Sequence, residues 1–166
     1  NGPVQDAPLG VARVSGRVHL GEEGLTGDKV ADSRWHGGPD KAICAYPLDH
    51  YAVWEERLGR PLPLPSFGEN FTTQGLLERE VCIGDRLRVG EATVQITQPR
   101  QPCFKFALRF GDKRLPKAMI RNGRSGWYYR VIETGVLAAG DRLDLLERPN
   151  PTWPMARFNR VLSSTS

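Results

Sequence analysis

The sequence is poor in the residues on which many metal and redox sites depend. Its 166 residues include only three cysteines, Cys44, Cys82 and Cys103, and no C-x-x-C pair. This odd number argues against a disulfide framework and favours a reducing compartment, so we predict a cytoplasmic location. No Cys/His spacing typical of zinc sites is present. Of the three histidines, His19 lies in a predicted strand and His50 in a predicted helix, and we interpret both as structural.

Several nucleotide-binding and hydrolase motifs are also missing. The sequence has no Walker loop, no G-x-G-x-x-G turn after a predicted strand and no G-x-S-x-G nucleophile elbow. It contains no apolar run long enough to span a bilayer. The net charge of +4 is mild. Such a charge suits an anionic small ligand or a weak nucleic-acid contact and does not decide between them.

Glycine and proline, in contrast, are abundant and scattered, with 18 and 13 residues. This distribution favours short strands and tight turns over a long-helix bundle. A Gly-Asp turn followed by alternating apolar residues occurs three times, at Gly27-Asp28, Gly84-Asp85 and Gly140-Asp141. We therefore predict a mostly β fold in which short antiparallel strands close into a barrel, with a few short α-helices. The predicted barrel domain covers residues 1–148, and a C-terminal tail with one short helix covers residues 149–166.

Three helices and two strands have clear local signals. Residues 47–59 begin with proline, end with glycine and show helical spacing of apolar residues. Further helices are predicted over residues 115–121, before Asn-Gly, and over residues 154–162. Residues 92–97 alternate between apolar and polar as a half-buried strand does, and residues 127–132 are rich in aromatic and β-branched residues typical of strands.

The segment around Cys103 has the most unusual local chemistry. Cys103 directly follows Pro102, and the cationic residues Arg100 and Lys105 flank it. Pro102 suits the first position of a short helix that ends at Gly111. Cys103 would then lie in the first helical turn, where backbone N–H groups and nearby cations favour a thiolate. The local pattern leaves two interpretations open, a reactive or metal-binding cysteine and a buried structural one.

Three other loops are candidate parts of a site. The adjacent glycines beside His36 allow close backbone approach to a ligand, and His36 can donate to an anion or act as an acid or base; the alternative is a tight turn with a surface histidine. The loop of residues 67–73 combines a carboxylate, an amide and hydroxyl groups. It could enclose a polar heterocycle or a phosphate, or it could only build turns and caps. We interpret residues 123–128 as a turn.

Together, these segments resemble the MOSC domain, which is named after the C-terminal part of molybdenum cofactor sulfurases. The resemblance covers roughly residues 9–148, and the order of the motifs is closest to the stand-alone YiiM-like branch. The matching segments are residues 35–42 with His-Gly-Gly, 46–47 with Tyr-Pro, 67–76 with Gly-Glu-Asn, 83–85 with Gly-Asp and 98–103 with Pro-Arg-Gln-Pro-Cys. The resemblance implies a mostly β barrel with a few helices, which agrees with the turn pattern.

The resemblance also implies a molybdenum cofactor, in which the dithiolene sulfurs of a phosphorylated pterin hold the metal, at the mouth of the barrel. Cys103 matches the cysteine that would bind molybdenum, and a soft thiolate is a suitable ligand. We assign catalytic roles to Cys103 and to His36, with His36 or a bound water as the proton source. Glu69 would orient its loop, and Arg13 stands where relatives often have lysine. The residues expected to bind the cofactor are Arg13, His36, Gly38, Asn70, Thr72, Arg100 and Lys105.

The implied activity is the two-electron reduction of small N-hydroxylated compounds, N-hydroxylated bases among them, to amines or amidines. Nothing in the chain resembles a flavin or nicotinamide site, so the reaction would require an external electron-donor redox protein.

Three alternatives stay open at this stage. The first is a metal-free thiol enzyme, with Cys103 as nucleophile, His36 as base and Asn70 or Glu69 orienting it. The second is a carrier of the molybdenum cofactor or of sulfur without its own catalysis. The third is a basic barrel that binds an oligonucleotide, against which the even spread of arginines along the chain argues.

Overall fold

A computed structural model describes residues 7–10, 17–25, 38–102 and 104–164, and for residues 7–10 and Ser164 it describes the backbone alone. The strands within these ranges are β1 (Ala7–Gly10), β2 (Arg17–Gly21), β3 (Gly24–Leu25), β4 (Ile43–Pro47), β5 (Phe71–Thr73), β6 (Arg86–Val89), β7 (Ala92–Pro99), β8 (Trp127–Glu133), β9 (Gly135–Ala138) and β10 (Arg142–Glu147). The helices are α1 (Tyr51–Leu58), α2 (Lys105–Phe110), α3 (Leu115–Asn122) and α4 (Met155–Ser164), with short 3-10 turns at Pro39–Lys41 and Leu48–His50.

Seven of the described strands close into a barrel, in the order β1-β10-β6-β7-β8-β4-β5. Strand β1 closes it by pairing with β10 on one side and β5 on the other. Neighbouring strands are antiparallel except for β4 and β5, which run parallel with Tyr46 opposite Thr72. Strands β3, β2 and β9 form a second, smaller sheet. The predicted mostly β barrel with a few short helices is therefore confirmed.

The Gly-Asp turns explain much of this strand pattern. Gly84 and Gly140 adopt φ angles of 85° and 91°, a left-handed region that glycine enters without steric cost. The aspartate that follows each glycine accepts a hydrogen bond from the backbone three residues earlier: Asp85 from Cys82 N at 2.9 Å and Asp141 from Ala138 N at 2.8 Å. Strands β6 and β10 begin directly afterwards, as predicted. The third turn, at residues 27–28, lies outside the described residues.

The helix predictions are confirmed for three segments and wrong at the start of one. A 3-10 turn and α1 occupy residues 48–58, and α3 and α4 cover the two later predicted segments. Helix α2 ends at Gly111, as expected, but it begins at Lys105 with Phe104 as the preceding cap residue. Pro102 is therefore not its first residue, and Cys103 lies outside the described residues. The reason is that Arg100 is bonded through its backbone N to Gly126 O at 3.1 Å, which ties this segment to another loop before the helix can start.

Apolar side chains form two layers that share strand β4. The barrel interior contains Ile43 and Ala45 of this strand, whereas Tyr46 belongs to a second cluster outside the barrel. All five β4 residues are buried because both faces of the strand are covered. The outer cluster packs helices against the barrel and consists of Tyr46, Tyr51, Trp54, Phe67, Phe106, Phe110, Leu115 and Met119.

The C-terminal segment is attached to the barrel by backbone and side-chain contacts. Met155, at the start of α4, is fully buried in the barrel cluster, and its N donates to Val81 O at 2.7 Å. The neighbouring Ala156 N donates to Glu78 O at 2.8 Å. Among the residues that the structure describes, no helix is long and apolar enough to cross a membrane.

A buried ion pair connects the turn before β6 to the end of β10. Arg148 donates to both carboxylate oxygens of Asp85, at 3.0 and 2.8 Å, and to Glu80 O at 2.9 Å. The Asp85 side chain is fully buried. The hydrogen bond between Asp85 and Arg148 raises the pKa of Arg148, and the nearby Cys82 acts in the same direction.

Replacing Arg148 with methionine should lower the free energy of unfolding by about 3 kcal/mol, because Asp85 would remain as a buried carboxylate without its cation. Urea denaturation of wild type and variant measures this difference. Arg88→Met is the matched control, since Arg88 is exposed on β6 and its replacement should change stability by less than about 0.5 kcal/mol. Equal stability of the two variants would contradict the assigned role.

Candidate functional site

Five of the predicted site residues are described by the structure: Gly38, Asn70, Thr72, Arg100 and Lys105. The other three, Arg13, His36 and Cys103, lie outside the described residues, and their assignments stay predictions. The described part of the site can nevertheless be built from the segments that flank them, because residues 98–102 and 104–110 enclose the position of Cys103 in the chain.

A β-bulge in β7 decides on which side of the barrel Arg100 lies. Ile96 pairs with Tyr129, and after a register shift Gln98 pairs with Tyr128 and Pro99 with Trp127. The extra residue of the bulge lies between Ile96 and Gln98. Without it, strict alternation would place Arg100 on the same face as Ile96, in the barrel interior. The shift exchanges the two faces, so Arg100 follows Gln98 onto the outer face.

Cys44 lies on the same outer face, because it pairs with Tyr128 while its neighbours Ile43 and Ala45 point into the barrel. The candidate site thus lies outside the barrel, between β4, β7 and β8 and the helical layer. The expected position of the cofactor at the barrel mouth stays a prediction.

Arg100 is half-buried, and its direct contacts among the described residues are neutral groups. Its Nη1 donates to Phe67 O and lies 3.4 Å from Cys44 Sγ. The guanidinium carbon of Arg100 is 4.7 Å from the centre of the Phe106 ring. Gly68 has a φ of 71°, and its backbone lies so close to Arg100 that a Cβ atom at this position would be 3.3 Å from Nη2 of Arg100. Within the described ranges, no carboxylate forms an ion pair with Arg100.

The charge of Arg100 is nevertheless maintained. Burial acts to lower the pKa of Arg100, but Cys44, Tyr128 and the Glu69 carboxylate act in the opposite direction, and the net effect is a raised pKa. The site therefore contains a half-buried cation whose direct contacts among the described residues are a carbonyl oxygen, a thiol and an aromatic face.

Cys44 is a functional candidate that the sequence reasoning missed. Its N donates to Asn70 Oδ1 at 2.7 Å, and Asn70 N donates to Cys44 O at 2.9 Å, so Asn70 binds β4 as a neighbouring strand would. Burial raises the pKa of the Cys44 thiol, although Arg100 partly offsets this. The alternation of apolar residues in β4 could have predicted that Cys44 lies on the face opposite to Ile43 and Ala45. Its contact with Arg100 could not be predicted, because it depends on the register between strands, which no local pattern reveals.

Glu69 orients its own loop, which is the role expected from the sequence. Its carboxylate accepts hydrogen bonds from Phe67 N at 3.0 Å, from the Tyr51 hydroxyl at 2.5 Å and from the Thr72 hydroxyl at 3.1 Å. The Tyr51 hydroxyl oxygen in turn accepts a hydrogen bond from Ser66 N at 2.9 Å. Thr72 is buried and its hydroxyl has this internal partner, so its predicted contact with a cofactor, like that of Asn70, stays a prediction.

Gly38 and Lys105 lie at the edges of the described site. Gly38 is exposed and has a φ of 97°. It precedes the 3-10 turn at Pro39–Lys41, in which Asp40 O accepts a hydrogen bond from the Thr97 hydroxyl at 2.6 Å. Lys105 is exposed at the start of α2. In the described part of the chain, no group of three or more His, Cys, Asp or Glu residues could hold a metal ion.

A cavity of about 440 Å³ opens beside Arg100, between the loop before α2 and helices α3 and α4. Its polar wall includes a hydrogen bond of 3.1 Å from Asn159 Nδ2 on α4 to Ser125 Oγ. We call it the Arg100 cavity. Its lining includes Gln98, Arg100, Pro102, Met119, Ile120, Ser125, Phe158, Asn159 and Leu162.

Comparison with known proteins relates this geometry to a family. A family model described as MOSC domain matches residues 32–144. An uncharacterized protein from Bacillus subtilis (strain 168), YflK, is 51% identical over 144 residues, covering 87% of this chain and 65% of the relative. Protein YiiM from Escherichia coli (strain K12) is 41% identical over 146 residues, covering 85% of this chain and 65% of the relative. The chain thus spans 65% of the length of these two curated relatives.

A third relative, named reductase, comes from Gibberella moniliformis (strain M3125 / FGSC 7600). It is 39% identical over 152 residues, covering 89% of this chain and 27% of the relative. Among solved structures, YiiM from Escherichia coli matches with a TM-score of 0.84 at 34% identity, over 95% of this chain and 77% of that one. YiiM from Geobacillus stearothermophilus matches with a TM-score of 0.79 at 42% identity, over 92% of this chain and 73% of that one.

Alkylation of Cys44 by iodoacetamide should be slow at neutral pH and should accelerate only above the pH at which an ordinary thiol ionises, because burial raises its pKa. In Arg100→Leu the onset should move to still higher pH, since the cation that favours the thiolate is lost. Peptide mass spectrometry across a pH series measures both onsets, with urea-unfolded protein as the reference. Reaction of Cys44 in the native protein at the unfolded rate would refute this environment.

Replacing Glu69 with glutamine should lower the free energy of unfolding by about 1–3 kcal/mol, because an amide NH2 would face donors that now bind a carboxylate oxygen. Glu56→Gln is the matched control, since Glu56 is exposed on α1 and should tolerate the change within about 0.5 kcal/mol. Urea denaturation compares the two. If Glu69→Gln were as stable as the control, the three hydrogen bonds would not hold the loop.

Proposed function

This chain belongs to the MOSC domain family and is of the YiiM type, and on this premise we propose that it binds the molybdenum cofactor and reduces N-hydroxylated compounds. The name reductase of one relative supports the reaction class. The name of the domain, taken from molybdenum cofactor sulfurases, supports the cofactor. The fold, the order of the motifs and the extent of the match support a function shared with the YiiM-type proteins.

The observation that carries the proposal is the environment of Arg100. A half-buried cation whose contacts among the described residues are a carbonyl, a thiol and a ring is partly desolvated, and an anion stabilises it. The molybdenum cofactor is anionic in both its phosphate and its dithiolene sulfurs, and arginine binds phosphate through paired N–H groups. The described residues of the site therefore fit this group.

Each candidate residue has a proposed part in holding the cofactor. Cys103 would supply a thiolate ligand to the metal, since soft ligands suit such a centre. Arg100 would bind an anionic group from its place between the barrel and the helical layer. When bound, the cofactor supplies a metal capable of two-electron redox chemistry. The remaining expected contacts to the pterin and its phosphate are Arg13, His36, Gly38, Asn70, Thr72 and Lys105.

The proposed reaction breaks the N–O bond of an N-hydroxylated amine or amidine. Two electrons and two protons convert N–OH into N–H and release one water. The electrons come from an external redox protein, because the chain has no flavin or nicotinamide motif. His36 is the proposed proton donor to the departing oxygen. The loop held by Glu69 and the helical layer would keep bulk water from the reacting group.

Molybdenum and pterin content tests this proposal in protein purified from a host that makes the cofactor. Wild-type protein should contain both in nearly stoichiometric amounts and should reduce N-hydroxylated bases with a reduced viologen dye as electron donor. Cys103→Ala should lose molybdenum and activity. Cys82→Ala is the matched control, because Cys82 lies near Pro151, away from the Arg100 site, and should keep both.

The other outcomes identify the alternatives. Absence of molybdenum and pterin under conditions that load a known molybdoenzyme would contradict the proposal. Full activity in metal-free protein would favour a thiol enzyme based on Cys103. Loaded protein that transfers cofactor or sulfur but reduces no N-hydroxylated compound would favour a carrier.

A further inference from the structure

Four arginines surround a second cavity, which we call the basic cavity. It has a volume of about 440 Å³ and lies between the loop after β5, the end of α3 and helix α4. The arginines come from separate elements of the fold, so the barrel and both helices must be assembled to form it. They are Arg79, Arg121, Arg124 and Arg160.

None of these four guanidinium groups has a hydrogen bond or an ion pair with another described residue. Two carboxylates also line the cavity. One of them, Glu78, is buried and already engaged, with Oε1 2.7 Å from His50 Nε2 and Oε2 accepting Gly126 N at 2.9 Å. The other, Asp49, is exposed. The cavity therefore has an excess of positive charge that the described residues do not neutralise.

A phosphate group is the ligand that this arrangement suits best. Like charges around one cavity repel each other, and a multivalent anion relieves that repulsion. Arginine presents a planar set of donors that matches phosphate oxygens, and charge-assisted hydrogen bonds of this kind are about twice as strong as neutral ones. The volume is within the range of small-ligand sites, roughly 300–1,000 Å³.

The basic cavity adjoins the Arg100 cavity. Ile120, Asn159 and Ser163 line both of them. On the Arg100 side, Phe158 and Leu162 offer apolar surface to a flat ring, and the amides of Gln98 and Asn159 can bind the polar edge of a heterocycle. A ligand with an anionic end and a planar end can thus occupy both cavities.

We propose that the substrate is bound as a nucleoside monophosphate, with its phosphate in the basic cavity and its N-hydroxylated base in the Arg100 cavity. This assignment rests on the proposed function and specifies its substrate class. The base would lie beside Pro102, which lines the Arg100 cavity and directly precedes Cys103. The arginines bind and orient the substrate and take no part in the bond-breaking step.

Binding to cofactor-free protein tests the phosphate site without any catalysis. Isothermal titration calorimetry should give a dissociation constant for adenosine monophosphate at least about tenfold lower than for adenosine, the effect of one strong hydrogen bond to a charged group. Higher salt should weaken the binding of adenosine monophosphate and leave the binding of adenosine unchanged. The double variant Arg121→Gln/Arg160→Gln should abolish the preference. Arg88→Gln, which removes one positive charge at an exposed position of β6, should retain it.

Equal binding of adenosine monophosphate and adenosine by wild-type protein would overturn the proposal. It would also be overturned if the double variant lost pterin during purification, because the arginines would then bind the phosphate of the cofactor and not that of a substrate.

Turnover separates this inference from the proposed function. Loaded protein with reduced viologen should reduce N-hydroxyadenosine monophosphate with a higher kcat/KM than N-hydroxyadenosine, and the double variant should lose this advantage through KM. If both compounds were reduced equally well, the phosphate assignment would fail and the reductase function would stand. If neither were reduced while the preference in binding persisted, the phosphate site would stand and the reductase function would fail.

Discussion

The candidate site depends on the half-buried guanidinium of Arg100. It bonds to Phe67 O, contacts Cys44 Sγ and lies over the Phe106 ring, while the backbone of the same residue bonds to Gly126 O. Through these contacts one residue connects β4, the loop before β5, the start of α2 and the loop before β8. A cation in this position requires that the surrounding groups stay in place, because a partly desolvated charge is costly unless other polar groups contact it.

Strand β4 makes this position possible because both of its faces are covered. Its inner side chains complete the barrel, and its outer ones meet the aromatic layer that carries the helices. Asn70 continues the hydrogen bonding of β4 beyond β5, and Glu69 holds the adjoining loop. The result is a polar site within a mostly apolar layer, with Arg100 between the two.

The fold could be predicted from the sequence where the determining interactions are local. The Gly-Asp turns are an example, since Gly84 and Gly140 take positive φ angles and the next aspartate caps the preceding backbone. Helices that begin near proline and end at glycine were also predicted. The start of α2 was not, because the bond from Arg100 to Gly126 O joins residues 26 positions apart, and a local pattern cannot indicate it.

The site could be predicted only in part, for the same reason. Motif order identified Arg100 and the Glu69 loop, but the contact between Arg100 and Cys44 follows from the pairing of β4, β8 and β7. A single bulge after Ile96 moves Arg100 from the inner to the outer face of the sheet. The position of such a bulge has no clear signal in a sequence that alternates up to that point, so the face of the sheet on which Arg100 lies could not be predicted.

The central claim is that the Arg100 charge binds an anionic cofactor. Pterin content of Arg100→Leu, purified beside wild type from a host that makes the molybdenum cofactor, tests this claim most directly. Near-ultraviolet circular dichroism should first establish that the variant retains its tertiary structure, and Arg88→Leu serves as the control for loss of one positive charge. The account predicts that folded Arg100→Leu contains almost no pterin while the control is loaded as wild type. Equal pterin in the folded Arg100→Leu variant and wild type would contradict it.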